Sequence, residues 1–411
     1  MSVTQTARFT PAVDDRGASS KLEPHYNFSI GYLRAFVTVL VVAHHAVLAY
    51  LPFAPTPPES LSVQPRWWQA FPVVDTQRWS GFTLFVGFND IFFMSLMFFL
   101  SGLFVWQSLE RKGSGSFFRD RTLRLGLPFV LSAALVAPLS YYPTYLQTGK
   151  RGFSSFWQEW FSLGSWPAGP AWFVWVLLAF DVVAAALFML APRWGNLLGR
   201  LLSCASRRPL VFFTFLVSLS AAAYIPMALT FNSLMWTDFG PFFFQTSRSL
   251  HYLVYFLIGV GIGAYGLDRG LLARDGMLTR HWLLWAIAAL TFFRVATGGA
   301  IVAMTAKSSH TLWLAIASFG FTLSCAASSF AFLALFLRFA RAPQLIFDSL
   351  RSNAYGIYLL HYAFVSWLQY AVLRAQWPPQ AKGVTVFLCS LGLSWSATAA
   401  LRRIPAIARV I

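Results

Sequence analysis

Two ionisable side chains, Arg34 and His45, lie inside one apolar stretch, IGYLRAFVTVLVVAHHAVLAYL. Charged and titratable groups are expensive in hydrocarbon, so a helix that keeps both is by default a functional candidate. The imidazole is the side chain whose ordinary pKa lies near neutrality, which suits it to accept a proton from a hydroxyl. The guanidinium offers a planar fork for phosphate or carboxylate oxygens. At 100° per residue, Arg34 and His45 fall on one helical face about 16 Å apart, while His44 lies about 80° off it. One face therefore carries a cation towards one membrane surface and a base towards the other. That predicts either a pathway or an active site with two ends.

The other polar residues inside apolar runs are few. Asp90 and His45 lie at similar distances from the outer ends of the second and first runs, agreeing within about 3 Å, which suggests a base with an orienting carboxylate. Asp181 and Arg294 each fall midway along a run and are expected to form a buried structural ion pair. His361, well inside a late run, is either a second polar site or a hydrogen bond between helices. The bland readings stand beside these: a membrane histidine is often a packed polar residue, and Arg34 could snorkel to the surface.

The elements that must hold these residues follow from composition. The chain has 411 residues, of which 57% are hydrophobic, 18% aromatic and only 11% charged, which is the composition of a polytopic membrane protein. The net charge of +17 comes from basic residues placed between apolar runs, so it reports membrane topology rather than nucleic-acid binding. About ten runs are long enough to span, at 30–51, 82–107, 125–142, 170–191, 209–230, 250–266, 282–303, 312–337, 349–373 and 383–401. Most of the 31 Lys and Arg residues then fall on one side, which puts both termini in the cytoplasm. The third run carries Pro128 and Pro138 and is expected to be kinked or partly interfacial.

Residues 1–27 are mostly polar, without the compact apolar core of a signal peptide, and are expected to form a disordered cytoplasmic tail. Residues 28–405 form one transmembrane domain, and 406–411 a short cytoplasmic tail. Cys204, Cys325 and Cys389 show neither metal-ligand spacing nor outward pairing, so no metal or disulfide is predicted. Two outer loops, 52–81 and 143–169, are rich in Trp and Pro. Their Trp residues either float at the interface as an aromatic belt or roof a polar substrate beside Arg66, Asp75, Arg78 and Glu159.

Several stretches resemble acyltransferase family 3, the integral-membrane acyltransferases that modify extracytoplasmic glycans, lipids and some small molecules. YLRAFVTVLVVAHHA is similar to the family's Arg-x10-His signature at Arg34 and His45. FFLSGLFVWQSLERKG resembles its apolar helix ending in Ser-Gly, here Ser101 and Gly102. FFRDRTLRLGLPF resembles its basic element, with Arg121 and Arg124 in the RxxR positions. AWFVWVLLAFD, ending at Asp181, resembles its Trp-Phe helix, and NAYGIYLLHYAFV its late Tyr-Leu-His helix, with Tyr358 and His361. The acidic residue that many members carry seven positions before Ser-Gly is Met94 here, with Asp90 one turn earlier.

The resemblance implies an all-α membrane enzyme that moves an acetyl- or succinyl-type group from cytoplasmic acyl-CoA to a hydroxyl of an extracytoplasmic acceptor, such as a glycan. It implies a multi-pass protein of a cell membrane, such as a bacterial inner membrane, surrounded by lipid, with acyl-CoA as co-substrate and no bound cofactor. His45 would be the base. Arg34, Arg121 and Arg124 would hold the donor, with Ser101 beside the tunnel. Direct transfer and an acyl-histidine intermediate are both open. The alternative function is a proton-coupled transporter, although the chain lacks the paired halves that many transporters show.

Overall fold

In a computed structural model, residues 28–305 and 309–411 are described, together with all their side chains except those of Cys204 and Ala205. The tail expected at 1–27 lies outside the described residues. Of the described residues 77% are helical. Its elements are α1 (Phe28–Val47), α2 (Gly81–Gly102), α3 (Val105–Arg121), α4 (Leu127–Leu131), α5 (Ala137–Gln147), α6 (Phe153–Phe161), α7 (Trp172–Leu190), α8 (Trp194–Ser206) and α9 (Pro209–Phe231). A hairpin of β1 (Trp236–Phe239) and β2 (Phe242–Gln245) follows. Then come α10 (Ser249–Tyr265), α11 (Met277–Arg280), α12 (Trp282–Thr305), α13 (His310–Phe339), α14 (Leu345–Ala371), α15 (Pro379–Leu401) and α16 (Pro405–Ala408).

Among the described residues eight helical segments are long and apolar enough to cross a membrane, and α10 with the segment bent 83° after it would be a ninth. α14 has the length but is too polar to qualify on composition, because it carries Asn353, Tyr355, Tyr358, His361 and Gln369. Those are the residues of a helix that lines something.

α1 and α14 run parallel. Tyr32 donates to Asp348 near their first turns, while His45 meets His361 and Gln369 near their last. Parallel neighbours must both be odd-numbered or both even-numbered crossings, which agrees with α14 as the ninth of ten. α2 and α10 are parallel in the same way, from Asp90 and Arg248 at one end to Leu103 and Gly263 at the other. Their backbones touch: a Cβ on Gly259 would lie 2.2 Å from Phe99 O, and one on Gly263 only 2.0 Å from Leu103 O. Membrane helices associate through such close approach because apolar area alone gives no preference for protein over lipid.

The third run is continuous with the charged helix before it, giving one helical segment from Val105 to Gln147. Its prolines are accommodated by two π turns, Thr122–Gly126 and Ser132–Val136. Proline has no N–H, and a π turn shifts the hydrogen-bond register, so carbonyls along this segment lose their helical donors. Side chains from elsewhere replace them. Tyr355 donates to Arg124 O (2.6 Å), Trp166 to Ala133 O (2.6 Å) and Trp367 to Leu139 O (3.0 Å), four residues before Pro143.

The end of the bundle where α1 finishes is covered by residues 52–80 and 148–171. Trp68, Tyr141, Tyr145, Phe156 and Trp160 form a buried cluster there that includes Tyr362 of α14. Part of this cover descends. α7 begins beside Phe98, near the far end of α2, and Phe173 packs on Tyr358. The hairpin follows it down, with Trp166 N–H bonded to Gly240 O and Phe242 stacked on Phe129. Irregular backbone at that depth is tolerated only where protein buries it or water fills a cavity beside it.

Candidate active site

His45 sits in the last turn of α1, where the final carbonyls lack intrahelical donors. The amide of Gln369 on α14 caps two of them, donating to His45 O (2.9 Å) and Ala46 O (3.1 Å). The ring is then fixed by two contacts. His45 Nδ1 lies 2.8 Å from Val41 O and 3.2 Å from His361 Nε2. A carbonyl oxygen can only accept, so Nδ1 carries the proton and Nε2 keeps its lone pair. The same argument applies to His361, whose Nδ1 lies 2.7 Å from Tyr358 O. His361 Nε2 is thus a lone pair facing the His45 Nδ1–H, and the proton is shared between that ring and Val41 O.

The result is an imidazole whose basic nitrogen has no hydrogen-bond partner among the described residues and whose other nitrogen is held from behind. In the Ser-His-Asp arrangement a carboxylate fills the rear position; here a second histidine, 0% exposed, fills it. Tyr362 packs edge-on against His45 with ring centroids 5.1 Å apart. Its hydroxyl and that of Tyr141 both donate to Gln69 O in the covering loop, at 3.3 and 2.9 Å. A cleft of about 10 Å³, room for about one water, lies beside Tyr358 and Tyr362 and is closed by Pro170 and Ser140.

At the other end of α1, the Arg34 side chain is exposed and its charge acts on the Tyr355 hydroxyl. Because Tyr355 also holds Arg124 O, α14 joins the Arg34 face of α1 to the π turn bearing Arg124, whose side chain is exposed. Arg121 behaves differently. Its Nε lies 3.2 Å from Asp181 Oδ2 and its guanidinium stacks over Phe117, so one arm of the expected donor clamp is already engaged.

Several expected pairings are replaced. Asp90 pairs with Arg248 at 2.6 Å, and its main-chain oxygen takes a second bond from the same guanidinium. The nearer histidine to that carboxylate is His44, which stacks on Phe93 of α2. Depth along the membrane, on which the Asp90 and His45 match rested, says nothing of azimuth: α2 packs on the His44 side of α1 and α14 on the His45 side. Asp181 meets Arg121 instead of Arg294, which lies exposed on α12. Ser101 sits at the far end of α2 beside Gly102, and the contact made there is the packing of Gly102 against Phe256 O of α10.

The charged residues of the covering loops are also taken up. Arg66 binds Ser165 Oγ and Leu163 O, Asp75 pairs with Lys382 at 2.7 Å, Arg78 donates to three backbone carbonyls, and Glu159 is held by Lys150 and Ser60. Burial alone would raise the Glu159 pKa, but the Ser60 hydroxyl, the Lys150 ammonium and the Leu61 N–H together hold it below the usual carboxylate value. Trp68 and Trp160 are core residues of this cover, whereas Trp67 and Trp79 remain exposed.

Sequence reasoning missed Gln369, Tyr355, Tyr362 and Arg248. The first three had a signal: Tyr355, Tyr358, Tyr362 and Gln369 recur at the three-and-four spacing of one helical face in an otherwise apolar run. A second polar cluster, fully buried, surrounds His251, whose ring nitrogens meet Ser220 (2.7 Å) and Ser95 (3.0 Å) with Cys325 alongside. Among the described residues no three His, Cys, Asp or Glu side chains are grouped to hold a metal ion.

Neither the curated proteins nor the solved structures contain a match to this chain. A family model described as an acyltransferase domain matches residues 27–399, from the start of α1 nearly to the end of α15. The match includes both histidines, the arginines at the far mouth and the loops that cover the site, and on it the chain belongs to acyltransferase family 3.

Proposed function

We propose that this membrane acyltransferase moves an acetyl- or succinyl-type group from acyl-CoA, bound at the Arg34 end on the cytoplasmic side, to a hydroxyl of an extracytoplasmic glycan presented at the covered end. The observation that supports this best is the state of His45: Nδ1–H held by Val41 O and His361, Nε2 bare. In the reaction Nε2 takes the acceptor hydroxyl proton as the oxygen attacks the thioester carbonyl carbon. The C–S bond breaks, and the leaving thiolate recovers the proton from Nε2. An ester and free CoA thiol are formed, and His45 returns neutral.

The remaining residues serve this in defined ways. Arg34 and the exposed Arg124 carry charge for the anionic donor, and the thioester arm runs along the α1–α14 seam towards His45. While Nε2 is protonated, the imidazolium has Val41 O and the His361 lone pair to share its charge. The descending backbone before α7 and the β1–β2 hairpin fit an acceptor approach from the covered end, since lipid would not tolerate them but a water-filled entrance would.

The same broken geometry at α7 is what a secondary transporter shows, and gives that reading its one specific support. The two are separated by offering radiolabelled acetyl-CoA and succinyl-CoA to the purified protein in nanodiscs, with a panel of oligosaccharides. The expected result is label in ester linkage on a sugar and stoichiometric free thiol. Label that stays on CoA with both donors, while solute moves in proteoliposomes, would make the protein a transporter.

A further inference from the structure

Arg294 lies midway along the 24 residues of α12 and is their one charged side chain. It stands about 17 Å from either end of the helix, further than an arginine side chain can snorkel. The residue is exposed, and among the described residues its guanidinium makes no hydrogen bond or ion pair. The two carboxylates set within the apolar runs are engaged elsewhere, Asp90 by Arg248 at 2.6 Å and Asp181 by Arg121 at 3.2 Å. A charge facing lipid at mid-span is among the most expensive placements in a membrane protein, and such groups as a rule face the interior or pair with one another. Arg294 lacks both the burial and the pair.

One side of α12 packs on α13, where a Cβ on Gly320 would lie 2.7 Å from Ala296 N. The opposite side carries Ile287, Thr291, Arg294, Gly298 and Ile301 at the three-and-four spacing of one helical face. Ile287 and Ile301 are 53% and 58% exposed, and a Cβ on Gly298 would meet nothing within 4 Å. The Thr291 hydroxyl is turned back onto Ile287 O at 2.9 Å. The face therefore offers an apolar rim, a notch at Gly298 and, one turn away, a bare guanidinium. In lipid, notches let helix backbones approach and polar side chains bond across the seam. A second copy docked through this face about a two-fold axis along the membrane normal would set Arg294 against Arg294, like charge on like charge. A carboxylate at the same depth on another helix fits the guanidinium fork.

We propose that the outer face of α12 is a docking surface for a transmembrane helix of another protein that carries an Asp or Glu at mid-span, paired with Arg294 and seated against Gly298. The test places fluorescently labelled full-length protein in liposomes with labelled polyleucine peptides that span the bilayer and carry one Glu, Leu or Lys at the centre, association being read by energy transfer. The parent should bind the Glu peptide at least tenfold more tightly than the Leu or Lys peptide. Arg294→Leu should abolish that preference, and Arg294→Lys, which reports on the site even if the Leu variant purifies poorly, should keep part of it. Gly298→Ile, which fills the notch and leaves the charge, should weaken the Glu peptide several-fold. Arg294→Glu should prefer the Lys peptide instead. Equal binding of the Glu and Leu peptides by the parent, or a preference that survives Arg294→Leu, would overturn the surface. Energy transfer between two differently labelled pools of the parent, lost in Arg294→Leu, would overturn the choice of occupant in favour of a second copy of this chain.

Discussion

His44 and His45 are adjacent in sequence and face different helices, so their chemistry is set by azimuth. His44 turns to α2, where Phe93 stacks on it and Asp90 is nearby; His45 turns to α14 and finds a second imidazole. In the proposed mechanism His361, in contact with His45, is a positioning residue: it touches the proposed base, and the base would touch substrate. His361→Ala should lower kcat roughly tenfold to a hundredfold, the loss of one to two polar contacts, with the donor KM unchanged. His361→Gln, whose amide oxygen can accept from Nδ1–H, should recover part of it; a purely structural role would leave Gln no better than Ala. At the other end Arg34→Ala should weaken acyl-CoA binding about tenfold to a hundredfold, and Arg34→Lys less, in a binding assay that needs no turnover. The Arg34 and His45 helix was legible in the sequence because two ionisable groups stand out in an apolar run. The His361 contact was not, because helical spacing fixes a face but not the helix that covers it.

Helices in this protein are held together by backbone proximity and by polar groups, in line with what a lipid solvent leaves available. Gly259 gives the clearest test, since its missing side chain is what lets α10 reach Phe99 O. Gly259→Ala must push two backbones apart and should cost about 1–3 kcal/mol, seen as a lower Tm in detergent. Gly298→Ala faces open space on α12 and should leave the Tm unchanged or raise it. A Tm drop for Gly298→Ala equal to that for Gly259→Ala would remove close packing as the cause. The apolar runs made most spans legible, and prolines correctly marked the third as irregular. What they could not reveal is that π turns would keep it continuous, because the donors that rescue its carbonyls, Tyr355, Trp166 and Trp367, come from segments distant in sequence.

Taken whole, the molecule has an Arg34 end with exposed basic residues and an end closed by packed aromatic loops, with α1 and α14 running between them. The charge bias predicts that the first is cytoplasmic. Single cysteines at exposed positions within residues 60–75 should react with a membrane-impermeant maleimide added outside cells, and those within 111–119 only after lysis; the reverse pattern would put donor and acceptor on the wrong sides. The central claim is narrower and can be tested directly by the turnover of two neighbouring substitutions, each confirmed to insert and purify as the parent does. His45→Ala removes the nitrogen proposed to take the acceptor proton and should lower acyl transfer by at least about 10²-fold, whereas His44→Ala, on the α2 side, should stay within about tenfold of the parent. Near-parent turnover in His45→Ala, or its loss in His44→Ala alone, would contradict the account.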